Sequence, residues 1–383
     1  MNRKISIAII GTRGIPASYG GFETIAEEIV KRLSFRGFEV YVSCESKNPK
    51  AKSFEDEYGV RLVYFPIIEP IRNLAEPLLY DMLSIMWFAL RVDIIVMLGC
   101  YFPPALIIPK LLRKVTIVHV DGLERNRRKF GRFLRFLLKH FEGLNSKIAD
   151  YIIVDSRNIG EYYRQNYRIS PIYIPNGIKE IKPLQEEALS KFKISKSQYY
   201  LVIARLEPEN NIDTIVKEFK KSRSNKKLIV VGPLINNDYI RELLQHREDR
   251  IIFLGGIYDP KLQRTLRHNC FAYIHGHEVG GTNPSLVEAL SCNNKILALD
   301  CIYNREVAEG SALYFSKKSN DLKEKIETLE GMDKNIPLLK DAYAIYKRKY
   351  TVEHMNNAFI KFIFHVTKTH NLLRKHLNLE ERK

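Results

Sequence analysis

The sequence predicts an α/β protein with two domains, each built on a doubly wound parallel sheet. Three observations predict this class. Apolar strand-like runs alternate with amphipathic helical segments, the alternation starts again in the second half, and 383 residues are too many for one ordinary domain. The predicted domains are 1–176 and 177–350, and a C-terminal helix at about 351–370 is expected to pack back on the first domain. Two such sheets facing each other would enclose an interdomain cleft.

The first half begins with a buried strand and an amphipathic helix. Isoleucine-rich ISIAIIG is the strand, and FETIAEEIVKRLSFRG places Phe22, Ile25, Ile29 and Leu33 on one helical face before Gly37 ends it. Further strands are predicted in EVYVSC, VRLVYFP, VDIIVMLG, KVTIVHV and ADYIIVDS. The helix EYYRQNY and the segment SPIYIPNG close this half.

The alternation starts again at QYYLVIARL. The further strands are predicted in KLIVVG, IIFLGG, FAYIHG and KILALD, and the helices in DTIVKEFKKS, YIRELLQHR, DPKLQRTLRHN and PSLVEALSCN. Because ligands of open parallel sheets bind at the carboxyl ends of the strands, we expect the functional residues in the loops that follow them.

The composition excludes several classes of protein. The five cysteines are scattered without a CxxC pair, which indicates neither zinc nor a disulfide framework and favours a reduced, cytoplasmic protein. No signal peptide is expected before the first strand. Arg91 and Asp93 interrupt one long apolar region, and Pro103 and Pro104 the other, so neither reaches the roughly 20 residues of a spanning helix.

The net charge of +17 is locally concentrated. A stretch of fifteen residues without an acid contains Arg125, Arg127, Arg128, Lys129, Arg132, Arg135 and Lys139. Helical spacing places Phe130, Phe133, Leu134, Leu137, Leu138 and Phe141 on one face. Such a helix can rest on an anionic membrane surface, with Arg128, Arg132 and Arg135 towards the lipid. The alternatives are a core helix with a solvated basic side, and a nucleic-acid interface, for which no motif is present.

The loop GTRGIPASYGGFET, residues 11–24, follows the first strand. Gly20 and Gly21 open the next helix, so backbone N–H groups face an incoming ligand, and Arg13 adds a cation; this suits a phosphate. The spacing and Pro16 do not fit the dinucleotide fingerprint. The alternative is a glycine-rich turn that only reverses the chain.

Two loops of the second half carry the other candidate residues. In HGHEVGGTNPSLVEAL, Asn283 is a suitable N-cap, and Gly280 and Gly281 leave the helix start open to an anion. Glu288 lies one turn into this helix, within reach of sugar hydroxyls, although it could simply be solvated. In ARLEPENN, Arg205 could bind a diphosphate, although a surface arginine is the ordinary interpretation.

Together these motifs resemble the GT-B glycosyltransferases of family 4, and more closely the bacterial rhamnosyltransferase-type members that build capsule and other surface polysaccharides. The resemblance rests on GTRGIPASYGGFET, VDGLE with Glu124, IPNGI, ARLEPENN, and GHEVGGTNPSLVEAL followed by NREVAEGSALYF. These motifs span almost the whole chain. The resemblance implies two facing Rossmann-like domains and a retaining transfer from a nucleotide-diphosphate sugar, dTDP-rhamnose, to a glycan or lipid-linked saccharide acceptor.

The resemblance also assigns residue roles. Arg205 would hold the donor diphosphate and Glu288 the ribose, while Gly280, Gly281 and Thr282 with the helix start at Asn283 would cradle the phosphates. Gly20 and Gly21 would close from the other side. His119 and Asp121 would lie beside the reacting sugar, and Arg13 and Glu124 on the acceptor side.

Two positions depart from the family pattern. The family's second glutamate, eight residues before Glu288, is replaced by Gly280, and its lysine, five residues after Arg205, is replaced by Asn210. Glu278 or His277 could fill the first gap. Glu278 is accordingly expected among the catalytic residues, and His277 and Asn210 among the donor-binding residues. No metal and no separate cofactor are expected, because no pair of carboxylates with DxD spacing stands out.

Three alternatives remain open. The donor could be a UDP-hexose or a UDP-N-acetylhexosamine. A nucleotide-dependent oxidoreductase would use Glu39 or Glu45 as its ribose acid, but the long loop with Pro16 argues against it. A non-catalytic scaffold would explain the two departures, whereas Arg205, Glu288 and both glycine loops argue for an active enzyme.

Overall fold

The computed structural model describes residues 4–16, 21–46, 54–56, 58–66, 75–123, 125, 131–331 and 341–370. The chain divides into two compact units. The first contains the described residues up to Gly177 together with those from Val352 onward, and the second contains Ile178 to Thr351.

The first unit is built on an eight-stranded sheet. Its elements are β1 Ser6–Ile10, α1 Gly21–Phe35, β2 Glu39–Ser46, β3 Phe54–Glu55, β4 Arg61–Pro66, α2 Ala75–Ala89, β5 Ile94–Leu98, α3 Ile107–Leu111, β6 Val115–Val120, α4 Arg132–Ile148, β7 Tyr151–Val154, α5 Arg157–Tyr167 and β8 Ile172–Tyr173. The strand order is β3-β4-β2-β1-β5-β6-β7-β8. Only β3 is antiparallel to its neighbour among these described strands.

The second unit has a six-stranded, wholly parallel sheet. Its elements are β9 Tyr199–Ile203, α6 Ile212–Lys221, β10 Lys227–Val231, α7 Asp238–Leu244, β11 Ile251–Gly255, α8 Pro260–Asn269, β12 Ala272–His275, α9 Pro284–Ser291, β13 Ile296–Leu299, α10 Ile302–Ala308, β14 Ala312–Phe315, α11 Asp321–Gly331 and α12 Ala342–Lys349. The strand order is β11-β10-β9-β12-β13-β14.

Each sheet has one place where the strand order reverses direction. In the first sheet β5 pairs with β1, and in the second β12 pairs with β9. At such a switch point the loops after the two neighbouring strands leave in opposite directions and open a crevice at the carboxyl edge. The loops after β9 and β12 are the ones that contain Arg205 and Gly280.

The last helix, α13 (Val352–Thr369), belongs to the first unit. Its apolar face, with Met355, Phe359, Ile363 and Val366, joins the core under β1 and α1. The Met355 sulfur accepts a hydrogen bond from the Gly177 amide at 3.3 Å.

The predicted class of two parallel-sheet α/β units is confirmed, with differences in single elements. The sequence interpretation missed α2 because its segment, AEPLLYDMLSIMWFA, is apolar on nearly every side and shows no helical period. It also missed α3, β3, β14, α10 and α11. The final helical region is two helices, because the chain leaves helical geometry at Tyr350.

The basic amphipathic helix differs from its predicted form. Within the described residues, α4 begins at Arg132, and Arg125 lies outside it. If this helix belonged to the core, its predicted apolar face would be covered. Phe133 is nevertheless 80% exposed, and among the described residues of that face only Leu138 is buried. The first turns of α4 therefore do not pack as a core helix.

A substitution at Gly11 tests how tightly the backbone is packed at the switch point of the first sheet. Its φ is +86°, and an added Cβ would lie 2.5 Å from the Leu98 carbonyl oxygen. We expect Gly11→Ala to lower the free energy of unfolding by about 3 kcal/mol, since left-handed strain and a backbone clash add. Urea denaturation of the purified variant measures this.

Gly37→Ala is the matched control. Gly37 has a φ of +88° but nothing within 4 Å of the added Cβ, so only the strain of about 1 kcal/mol should remain. Equal losses in the two variants would show that the Leu98 contact is easily relieved.

Candidate functional site

The loop after β9 is held by its own side chains. The buried Asn210 amide donates to the carbonyl of Arg205 at 2.7 Å, so Asn210 serves the loop backbone. The Arg205 guanidinium is about half exposed and lies 3.8 Å from the Glu207 carboxylate. A weakly paired, solvent-facing cation at the carboxyl edge of a sheet is available to an anionic ligand.

The loop after β12 packs directly on the first loop. An added Cβ at Gly276 would lie 2.3 Å from the Asn210 carbonyl oxygen, so only glycine permits this approach. Asn211 reinforces it by donating to the Gly276 carbonyl at 2.8 Å. The Glu278 amide donates to the Glu209 carbonyl at 3.2 Å. The two loops that the sequence singled out are therefore brought together.

The start of α9 has the capping that the sequence predicted. Asn283 accepts a hydrogen bond from the Ser285 amide at 3.0 Å, and Pro284 is the first helical residue. Gly280 has a φ of +125° with nothing within 4 Å of an added Cβ, so the space beside it is open. Gly281 and Thr282 are buried beneath it.

Glu288 is paired with a residue that the sequence did not single out. Its carboxylate forms an ion pair with Arg267 of α8, whose side chain is 2% exposed, while Glu288 itself is one-third exposed. Burial is the largest single effect and lowers the pKa of the Arg267 guanidinium, but Glu288 together with Tyr273, Cys292 and Cys270 outweighs it, so the pKa is raised. Arg267 lies in a helix expected to show a solvated face, and no sequence signal marks it as buried.

His277 and Glu278 are anchored by the next strand-following segments. Asn304 donates to the His277 carbonyl at 2.9 Å, and Glu278 forms an ion pair with Lys317. The His277 ring stacks on His275 with centroids 4.4 Å apart. These contacts anchor both residues in the segment that leads to Gly280.

In the first unit the loop after β1 is tied to its neighbours. The Arg13 amide donates to the Glu23 carboxylate at 3.3 Å, and its carbonyl accepts from the Glu45 amide at 3.0 Å. The Arg13 side chain is exposed. Gly21 begins α1, as expected for the helix that follows this loop.

His119 is buried at the end of β6. Its ring meets Phe22 edge to face with centroids 5.6 Å apart, and burial lowers its pKa to about 4. The imidazole is therefore neutral at physiological pH. Asp121, two residues on, is half-buried.

Asp81 is a further group near this edge that the sequence interpretation missed. Its carboxylate accepts from the amides of Tyr101 at 2.6 Å and Phe102 at 3.2 Å, in the segment after β5. Burial raises its pKa to about 7, although the two amide hydrogen bonds oppose the shift. Asp81 lies in the apolar segment of α2, where the sequence pattern shows only a single acid among apolar residues and gives no sign of a functional group.

The remaining predicted residues are distributed as follows. Gly20, Glu124 and Arg128 lie outside the described residues. Arg132 is exposed and Arg135 half-buried on α4. Among the described residues there is no group of three His, Cys, Asp or Glu side chains arranged to hold a metal ion. In the same part of the chain, no helix combines the length and apolar character needed to cross a membrane.

Two family models match the chain. Residues 185–349 match the model described as glycosyl transferases group 1, and residues 4–178 match a domain of unknown function, DUF1972. A curated relative, the N-acetylgalactosamine-N,N'-diacetylbacillosaminyl-diphospho-undecaprenol 4-alpha-N-acetylgalactosaminyltransferase of Campylobacter jejuni, is 24% identical over 157 residues. That match covers 40% of this chain and 42% of the relative.

Solved structures are similar over almost the whole chain. Sucrose-phosphate synthase from Thermosynechococcus elongatus has a TM-score of 0.78 at 15% identity, covering 96% of this chain and 100% of that one. The Anabaena protein HepE in complex with UDP has a TM-score of 0.71 at 17% identity, covering 94% and 99%. At such identities the likeness shows the fold.

Fold and family model together define the class, a GT-B glycosyltransferase. The match to the model of glycosyl transferases group 1 is confined to residues 185–349. The family 4 and rhamnosyltransferase assignments stay predictions.

The buried His119 should make stability depend on pH. Its pKa falls from 6.5 to about 4 on folding, so the folded protein binds fewer protons between these values. The contribution of His119 to the free energy of unfolding is therefore fully present above pH 6.5. It is lost as the pH falls towards 4, and the loss is about 3 kcal/mol. In His119→Gln, the free energy of unfolding should therefore decrease less between pH 7.5 and pH 4 than in the parent protein. Urea denaturation curves at the two pH values measure this decrease.

The exposed His268 supplies the control, because His268→Gln should leave the difference between the two pH values as in the parent protein. An unchanged pH dependence in His119→Gln would mean that the His119 imidazole ionises freely in the folded state.

Proposed function

We propose that this protein is a retaining glycosyltransferase that moves a sugar from a nucleoside-diphosphate donor to a lipid-linked saccharide. One observation carries the proposal. The loops after β9 and β12 pack together at the switch point of the sheet that matches the group 1 family, and they present Arg205, the open Gly280 and the start of α9 there.

The donor diphosphate is proposed to bind between the Arg205 guanidinium and the capped start of α9. Both supply positive potential, the guanidinium as a full charge and the helix start through the helix dipole. Glu288 accepts from the ribose hydroxyls. When the acceptor oxygen bonds to the anomeric carbon, the bond to the diphosphate breaks. The hydroxyl proton passes to the departing phosphate, whose charge these groups stabilise.

For the donor sugar we retain L-rhamnose from dTDP-rhamnose, as the sequence resemblance implies. A second candidate is a UDP-N-acetylhexosamine. It is favoured by the Campylobacter jejuni relative, which is named an N-acetylgalactosaminyltransferase, and by the UDP bound in HepE. The name of that relative also includes a diphospho-undecaprenol, which supports a lipid-linked acceptor.

The acceptor is proposed to bind the first unit near the ends of β1 and β6. The neutral His119 packs behind Phe22, and Asp121 follows at the strand end. The exposed Arg13 side chain is a cation for an acceptor phosphate. A scaffold without activity is the remaining alternative, and it would explain Gly280 and Asn210 without requiring Arg205 to bind a ligand.

A membrane-facing role of the first unit is supported by its exposed apolar side chains. Phe133 and Phe136 of α4 are 80% and 61% exposed, and Leu111 of α3 is 78% exposed. Arg132 precedes Phe133 at the start of α4. Lys110 precedes Leu111 and donates to the Ile148 carbonyl at 3.0 Å, which joins α3 to the other end of α4. Apolar groups among cations suit an anionic lipid surface. We propose peripheral association with the inner face of the cell membrane.

Nucleotide binding tests the enzymatic proposal. dTDP or UDP should raise the thermal midpoint, because a ligand at 100 times its Kd stabilises the folded state by about 2.7 kcal/mol. Arg205→Ala should abolish most of this shift, and NAD should give none. Differential scanning fluorimetry with dTDP, UDP, GDP and NAD measures it.

Arg223→Ala removes an equally exposed arginine from the segment before β10, at the opposite edge of the sheet, and should keep the full shift. A response to dTDP but not UDP supports the rhamnosyl donor, and the reverse supports the second candidate. If none of the nucleoside diphosphates raises the thermal midpoint, the result favours the non-catalytic scaffold.

Vesicle binding tests the membrane proposal. A Phe133→Ser/Phe136→Ser double variant should bind vesicles of anionic lipid at least about tenfold more weakly, since two rings no longer insert. Arg132→Glu should weaken binding similarly, and added salt should reduce the effect of the charge. Co-sedimentation with phosphatidylglycerol vesicles gives the bound fraction.

Ile235→Ser is the control, because Ile235 is 63% exposed on the second unit and its loss should leave binding unchanged. The membrane role is abandoned if the double variant and the control bind alike.

A further inference from the structure

Arg267 is a buried cation without an assigned role. It lies on α8, away from the two loops that carry the candidate donor residues, and its side chain is 2% exposed. A buried guanidinium is tolerated only where charged or polar partners replace its lost water. Its partners therefore indicate what it serves.

Those partners converge on α9. One guanidinium nitrogen, Nη2, reaches both the Glu288 carboxylate and the Ser285 hydroxyl, the latter at 2.9 Å. The other, Nη1, donates to Gln263 at 3.3 Å. The guanidinium also lies over the Tyr273 ring, 5.8 Å from its centroid. Arg267 is thus fixed from several sides and has little freedom to follow a moving carboxylate.

The same network reaches the loop of Arg205. The hydroxyls of Ser285 and Tyr273 donate to the Ile203 carbonyl at 3.0 and 3.2 Å. Ile203 is the last residue of β9, two positions before Arg205. The α9 helix and the end of β9 are therefore tied through side chains that also contact Arg267.

We propose that Arg267 is a positioning residue that orients Glu288 for the ribose of the donor. Arg267 holds the Glu288 carboxylate through Oε2, and the one-third exposed side chain leaves Oε1 to accept from a ribose hydroxyl. Arg267 does not touch the ligand. The inference rests on the proposed function, because it requires a nucleoside diphosphate to bind at α9.

Ribose discrimination gives the test. Titration calorimetry compares whichever of UDP and dTDP binds with its 2′,3′-dideoxy analogue. UDP loses two hydroxyls in this comparison, and dTDP, a deoxyribonucleotide, loses its single 3′-hydroxyl. The intact protein should prefer the hydroxyl-bearing nucleotide by about 10- to 100-fold, the range for a hydrogen bond to a charged group. Glu288→Gln should reduce that ratio to a few-fold.

Arg267→Met should also collapse the ratio to a few-fold while the dideoxy ligand binds almost as before. Arg267→Lys, which keeps the buried charge, should recover part of the ratio, and it carries the test if Arg267→Met does not fold. A merely structural role would weaken both ligands alike.

Arg264→Met is the matched control. Arg264 lies one turn earlier on α8 and bonds the Ser291 carbonyl of the same helix α9 at 2.9 Å, without contacting Glu288. It should keep the ratio even if it lowers the thermal midpoint. Loss of the ratio in Arg264→Met, or its retention in Arg267→Met, would overturn the inference.

The outcomes also separate the two proposals. If the intact protein binds neither UDP nor dTDP, the proposed function fails and this inference fails with it. If it binds UDP or dTDP with discrimination that depends on Glu288 but not on Arg267, only the positioning role is refuted.

Discussion

The close approach of three backbone segments around the loop after β9 is the constraint on which the donor side depends. On one side an added Cβ at Gly232 would lie 2.2 Å from the Ala204 carbonyl oxygen. On the other side a Cβ at Gly276 would lie 2.3 Å from that of Asn210. The backbone of residues 204–211 is thus confined between the loops after β10 and β12, which fixes the position from which the Arg205 side chain extends.

Buried ionisable groups of this chain either keep a matched charge, as Arg267 does, or are held neutral, as are His119, Asp81 and also His275 of the second unit. In the second unit the buried charge of Arg267 is retained and matched by Glu288, so a polar network reaches from α8 to the end of β9. In the first unit burial instead favours the neutral forms, since the pKa of His119 falls to about 4 and that of Asp81 rises to about 7. Charge complementarity suits a phosphate-bearing donor, whereas neutral groups suit sugar hydroxyls.

The sequence predicts what local patterns encode. Strand composition and helix caps place the loops of Arg205 and Gly280 at strand ends, and the family resemblance implies the GT-B fold. It does not predict α2, whose apolar surface has no period, nor the exposure of Phe133, since an amphipathic pattern does not state whether its apolar face is covered. The burial of Arg267 cannot be predicted from the sequence pattern, because it follows from how α8 packs on α9. Arg267 and its partner Ser285 are eighteen residues apart in the chain.

The two departures from the family pattern are easier to reconcile with an active site once their surroundings are known. Position 280 has a φ of +125°, which glutamate adopts only with strain, and position 210 is buried, where a lysine ammonium would need a partner. The changes remove one anion and one cation from two loops that pack on each other, so the formal charge of the pair is unchanged. Because the two loops keep their net charge, the two changes are compatible with the proposed binding of a diphosphate by Arg205 and the start of α9.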